Sequence, residues 1–386
     1  MFRVRATLNT CLEFEFIMKF LNIIIWVVLA VSLGSQTSSA QSTNSAESSD
    51  TTLITNITST LDPHINDSVA ISLPHLFGNH QAVVRQAGHW ANYQQSVRAR
   101  GSKHIASAKE LEDAMIDFSR YDGARIAKGW MAKSALIALR TPEYVAGVRY
   151  WESTYGHNVV LDRLHDNPMA VFQFPGAQKA QTAVLRASFN DSNEIKLVGS
   201  LFKEQAYSMQ KHSWANKKQG GKDFRLDALR LAPDNPTPLN QDILQALAEP
   251  GRTLLSGSTE HQDEHQINEE SSLLSALKLG PSPAFATTTS SQQTLQLAPE
   301  RGLTMAHVLG LAALLVLNDE HNDSHFQKWI DDPELRECVD WSRVHLRQCV
   351  AAGHFVFEGS FCVSEHQLGD VGRCVGDIIS GNRDEN

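Results

Sequence analysis

Four cysteines fall within the last fifty residues, Cys338, Cys349, Cys362 and Cys374, at spacings of 11, 13 and 12. Eleven residues of α-helix make three turns and a small remainder, so Cys338 and Cys349 project from nearly one face. Cys362 and Cys374 suit a second helix facing back. If the two run antiparallel about the connection 353–360, Cys349 meets Cys362 near the turn and Cys338 meets Cys374 at the open end. Of three connectivities open to four cysteines, this geometry favours the nested one. The segment is therefore expected to be a stapled helical hairpin.

The spacings, CX10C and then CX11C, resemble the coiled-coil-helix domains with twin CX9C motifs, in which two antiparallel helices are joined by nested disulfides. Both arms depart from that spacing, and the resemblance covers residues 338–374 alone. It bears on architecture and implies no function. A structural zinc site wants close CX2–4C pairs, which are absent from the sequence. No CXXC redox pair occurs either.

Residues 18–33 read as an export signal: Lys19 supplies positive charge and 20–33 is an apolar run broken by Asn22 and Ser32. Ser38 and Ala40 set small residues where a signal peptidase needs them, which predicts cleavage before Gln41. Glu13 and Glu15 suit a signal n-region poorly, so Met18 is the expected start and Cys11 is then lost. The apolar run is short for a membrane span, and no stable span is expected after cleavage. An even number of remaining cysteines in an exported chain favours disulfides, hence a periplasmic or secreted protein. The mature chain keeps 31 basic and 41 acidic residues. A net negative surface without a Lys/Arg stripe repels phosphate backbones, so nucleic acid is not an expected partner.

The sequence divides into a signal at 1–40, a Ser/Thr-rich leader at 41–75, a helical segment at 76–215, a tether at 216–302 and a helical segment at 303–386. Residues 35–60 hold 15 Ser or Thr among 26, too few apolar side chains to bury. Ser107 and Glu110 form a capping box that predicts a helix over 107–120. A second helix stops near Arg140, because Pro142 cannot continue it; Thr141 caps a third with Pro142 in its first turn. Tyr144, Val148, Trp151 and Tyr155 recur at helical spacing and are read as a core face. Over 177–213 a long helix, divisible at 190–193, aligns Ile195, Val198, Leu201, Phe202, Met209 and His212.

In the tether, prolines at 233, 236 and 238 and the Thr/Ser/Gln/Ala run 286–294 leave room for two short helices, 240–248 and 269–279. Residues 304–317 are apolar nearly all round, with His307 the one ionisable group, and predict a buried central helix. Its expected partners are 325–331, 334–352 and 361–379, so the stapled hairpin is expected to pack on it. The two helical segments can also join into one bundle, making the tether an excursion.

Candidate metal ligands come in two runs. His261, Glu264 and His265 match HxxEH, the inverted zinc-peptidase pattern in which a helix turn aligns two imidazoles and the Glu serves as base. The surrounding 260–270 is acidic and nearly free of apolar residues, which gives the ligands nothing to lean on. His321 and His325 share the i, i+4 spacing beside Asp319, Glu320 and Asp323. His345, His354 and His366 lie in or near the hairpin and could add ligands. No GxSxG, P-loop or Rossmann motif occurs, no catalytic residue is assigned and no cofactor is implied.

The expected fold is all-α, a multi-helix bundle with a disulfide-stapled C-terminal hairpin. The expected function is non-enzymatic: an exported binding or assembly component of the cell envelope with a protein partner. Its alternatives are a metal-dependent hydrolase using one of the His runs and a lipid or apolar-ligand carrier.

Overall fold

Helix punctuation in the sequence sets the architecture of the computed structural model, which describes residues 80–248, 295–318 and 324–381, with His325 described in its backbone only. The described residues form an all-α fold of twelve helices without strands. The chain opens with α1 (Gln81–Gly101), α2 (Ala108–Ser119) and α3 (Gly123–Leu139). Ser107 caps α2 by accepting from the Glu110 amide at 3.2 Å, and Glu110 reaches back to the Ala106 amide, one residue before the cap. Asp122 caps α3 through the Arg125 amide.

Next come α4 (Pro142–Tyr155), α5 (His157–Asp166), a 3-10 turn (Pro168–Gln173) and α6 (Ala177–Met209). Thr141 occupies the cap position of α4, with Pro142 in the first turn, but its hydroxyl makes no cap hydrogen bond. Along α4, Tyr144 and Val148 are fully buried, whereas Tyr155 is exposed because the helix runs out to the surface. The long helix α6 is continuous through 190–193 and ends at Met209, which leaves His212 beyond it and exposed.

Two helices of the expected tether lie against the bundle. They are α7 (Lys222–Leu231), which burial of Leu226 and Leu229 holds down, and α8 (Gln241–Ala248), which packs on α1. The short helix expected at 269–279 lies outside the described residues. After it come α9 (Gly302–Leu317), α10 (Ser324–Ile330), α11 (Pro333–Ala352) and α12. The last is three consecutive stretches: Glu358–Cys362, a π-helical Val363–Asp370, and Val371–Gly376.

Helix α3 is the hub, touching α1, α6, α9, α10 and α11. Its approach to α1 is so close that a Cβ on Gly129 would stand 2.8 Å from the Trp90 backbone nitrogen. Helix α9 is buried almost throughout, as its composition requires. With the preceding 3-10 turn it forms a 19-residue helical run, long and apolar enough by length and composition to cross a membrane, but most of it lies inside the protein. Of its expected partners α10 packs against it, but its other main neighbours are α3, α4 and the turn Pro168–Gln173, with Tyr144 donating its hydroxyl to the Leu309 carbonyl at 2.7 Å. The stapled hairpin instead packs mainly on α3 and α6. An apolar helix without a polar side can fill any apolar groove, and here it lies against the N-terminal helices.

One continuous core therefore runs from Val83 to Ile379, joining the two helical segments. Backbone clips fasten the ends of the excursion to the hairpin. Lys218 bridges Phe355 at the hairpin turn, and Leu297 bridges Ile379 at its end.

Candidate functional site

Helices α11 and α12 run antiparallel, with Cys349 bonded to Cys362 at the turn and Cys338 bonded to Cys374 at the open end, Cα separations 5.6 and 5.8 Å. The two disulfides indicate an oxidising environment of the extracellular type.

The inner face of α12 is held by polar contacts to the helices beneath it. Ser360 and Ser192 donate their hydroxyls to the Phe202 and Gly372 carbonyls, both at 2.7 Å, tying α12 to α6. Gln367 donates its side-chain amide to the Met115 carbonyl and the Ser119 hydroxyl, while its backbone carbonyl accepts from the Tyr93 hydroxyl. With Gln367 turned inward, the π-helical stretch presents His366 and Asp370 toward α11. Such stretches recur at functional sites.

His345 of α11 completes the cluster. The Nδ1 atoms of His366 and His345 lie 2.9 and 3.5 Å from the same Asp370 oxygen, Oδ2, and Arg373 pairs with the other, Oδ1. The two imidazole rings are 5.6 Å apart at 61°, and Trp341 lies 5.8 Å from the His345 ring on its outer side. Burial pushes the Asp370 carboxyl up, but the His366 hydrogen bond and the Arg373 charge outweigh it and hold the group below the usual carboxylate range. His345 is 46 % exposed and Asp370 only 15 %, so the cluster is anchored at its base and open at its rim.

The expected metal ligands fall differently. His261, Glu264, His265 and His321 lie outside the described residues, and His325 sits on α10 with its backbone alone described. His354 is exposed at the hairpin turn, away from the cluster. Of the hairpin histidines only His345 and His366 come together, and sequence reasoning missed Asp370. A signal for it existed. With 349 opposite 362 and 338 opposite 374, residue 345 falls opposite 366, and Asp370 is one helical turn further on.

A second polar constellation was invisible in the sequence. Lys133 of α3 and Asp191 of α6, 2 % and 6 % exposed, form a buried ion pair with Nζ 2.8 and 2.9 Å from the two carboxylate oxygens. Trp90 and Gln94 of α1 donate to the same carboxylate at 3.0 and 2.7 Å, and Lys133 also donates to Gln94 at 3.1 Å. Every group in the network is answered from within, which is the arrangement of a core tie between three helices.

Grooves open on the described surface at two places of note. One of about 290 Å³ lies between α1 and α6, lined by Lys103, His104, Leu201 and Glu204. The other, about 330 Å³, runs along the outer face of α11 past Arg336, Glu337, Asp340, Trp341 and Val344. Trp341 is 53 % exposed there. No protein-family model, no curated protein and no solved structure matches the chain.

Proposed function

We propose that the chain is exported through the signal at 18–33, cleaved before Gln41, and acts in the periplasm or outside the cell as a non-enzymatic binding or assembly component. Its partner is a protein that docks on the outer face of α11. Trp341 carries this reading. A large aromatic ring left half in water is the residue type that most often anchors an interface, and here charged Arg336, Glu337 and Asp340 rim it. It also stands on a helix tied at two points to α12, so little conformational freedom is lost on docking.

The hydrolase alternative draws on His261, Glu264, His265 and His321, outside the described residues. The carrier alternative needs an apolar chamber, and the observation favouring docking over it is the exposed Trp341 rather than any such chamber. The test is affinity purification of the oxidised mature chain from its native source beside Trp341→Ala, with mass spectrometry of the amino terminus and the thiols. The reading expects a terminus at Gln41, no free thiol, and a protein partner at least tenfold depleted by the substitution. Equal recovery with both chains, or four free thiols, overturns it.

A further inference from the structure

We propose that His345, His366 and Asp370 form a binding site for one divalent metal ion of the zinc type, held between the two helices of the hairpin. The inference does not depend on the docking reading, although His345 stands one helical turn from Trp341 on the same side of α11, with the two rings 5.8 Å apart.

Ligand chemistry comes first. Two imidazoles and a carboxylate are an ordinary donor set for zinc, and disulfide formation has removed the thiolates that would compete for the ion. Zinc bonds of about 2.0–2.2 Å in a tetrahedron set neighbouring ligand atoms about 3.3–3.6 Å apart. One potential ligand atom from each of the three residues lies within 4.8 Å of the other two, and the two contacts to Asp370 Oδ2 are 2.9 and 3.5 Å. A spread of a few tenths of an ångström on the Asp370 side and a small closing of the His345 ring bring the three around one ion. The exposed edge of His345 leaves the fourth position to water.

Position in the frame adds an independent reason. His345 lies between Cys338 and Cys349 on α11, and His366 and Asp370 lie between Cys362 and Cys374 on α12. The cluster is thus the middle rung of a ladder whose outer rungs are covalent. The interhelical distance is set before any ion arrives, so binding spends little on ordering the ligands. Arg373 holds the Asp370 oxygen that does not face the imidazoles, which orients the carboxylate as outer partners of metal ligands do. Its positive charge also opposes the ion, which makes this a site of moderate rather than extreme affinity.

The experiment uses the oxidised mature chain, titrated with zinc chloride by calorimetry and analysed for bound metal after dialysis. The expected result is one equivalent of zinc. His345→Ala, a substitution at a half-exposed position that leaves the core untouched, weakens binding at least tenfold, and His366→Ala does the same. His261→Ala/His265→Ala and His321→Ala/His325→Ala keep the equivalent. Zinc raises the melting temperature of the parent chain and not that of His345→Ala, which separates loss of the site from loss of the fold. Failure to bind an equivalent, or an equivalent untouched by His345→Ala, overturns the proposal. So does an equivalent lost with either of the other two pairs.

Discussion

Replacing Asp191 with leucine strips one acceptor from three buried donors at once. The Lys133 ammonium, the Gln94 amide and the Trp90 indole all donate to this carboxylate, and no solvent reaches the site to take its place. Lys133 keeps a single neutral contact, the Gln94 carbonyl oxygen. Leaving one partner of a buried ion pair uncompensated costs about 3–5 kcal/mol. At about 2–4 °C per kcal/mol for a domain of this size, the melting temperature falls by about 6–20 °C. Denaturant melts followed by far-ultraviolet circular dichroism read the loss directly. The double replacement Lys133→Met/Asp191→Leu removes both charges together, and since exchanging a buried pair for apolar groups is often nearly neutral, it recovers at least half of the single-variant loss. It does not recover all, because the Trp90 and Gln94 donors still lack an acceptor. A loss below about 1 kcal/mol for Asp191→Leu, the low end of what even one unsatisfied buried group costs, would refute the reasoning. A double variant no more stable than the single would refute it too.

Two further outcomes follow from the packing. Gly129→Ala forces α1 and α3 apart against the Trp90 backbone and lowers stability by about 1–3 kcal/mol in the same melts, whereas Gly220→Ala, with open space around it, is expected to be silent. His307 stacks on Trp329 at 5.6 Å, and burial holds its imidazole below the ordinary range, with Asp332 opposing and Lys328 adding to the shift. Because the folded chain disfavours the proton, this contribution is complete above the unfolded value of about 6.5 and is lost as pH falls below it. His307→Phe therefore flattens the stability profile below about pH 6.5 relative to the parent chain.

Local punctuation was readable in the sequence because each signal is a short-range contact: Ser107 with Glu110, Pro142 at the start of α4, the turn and face of the hairpin. Residues whose role depends on distant partners were not. Lys133 and Asp191 look like the solvated side of amphipathic helices until α1, α3 and α6 close around them. Apart from α10, the partners of α9 were misassigned for the opposite reason, since a helix apolar on every side carries no orientation to read. Helix α7 escaped notice because only Leu226 and Leu229 are buried while Phe224 and Leu231 stay exposed, an apolar stripe too thin to stand out from the proline-rich stretch beside it. At the candidate site the two histidines could be placed by their register in the hairpin, but the inward lock of Gln367, which aims them, required the α1 and α2 surfaces.

The seating of α9 against α3 and α4 has a consequence for how the molecule is made. Ribosomes deliver chains from the amino end, so the groove awaiting residues 302–317 is synthesised well over a hundred residues before its plug. Until then the apolar surface of α3 and α4, Tyr144 included, has nothing to cover it. The newborn first half, with that surface exposed, is expected to be more aggregation-prone than the finished fold, and a chaperone that shields it would protect yield.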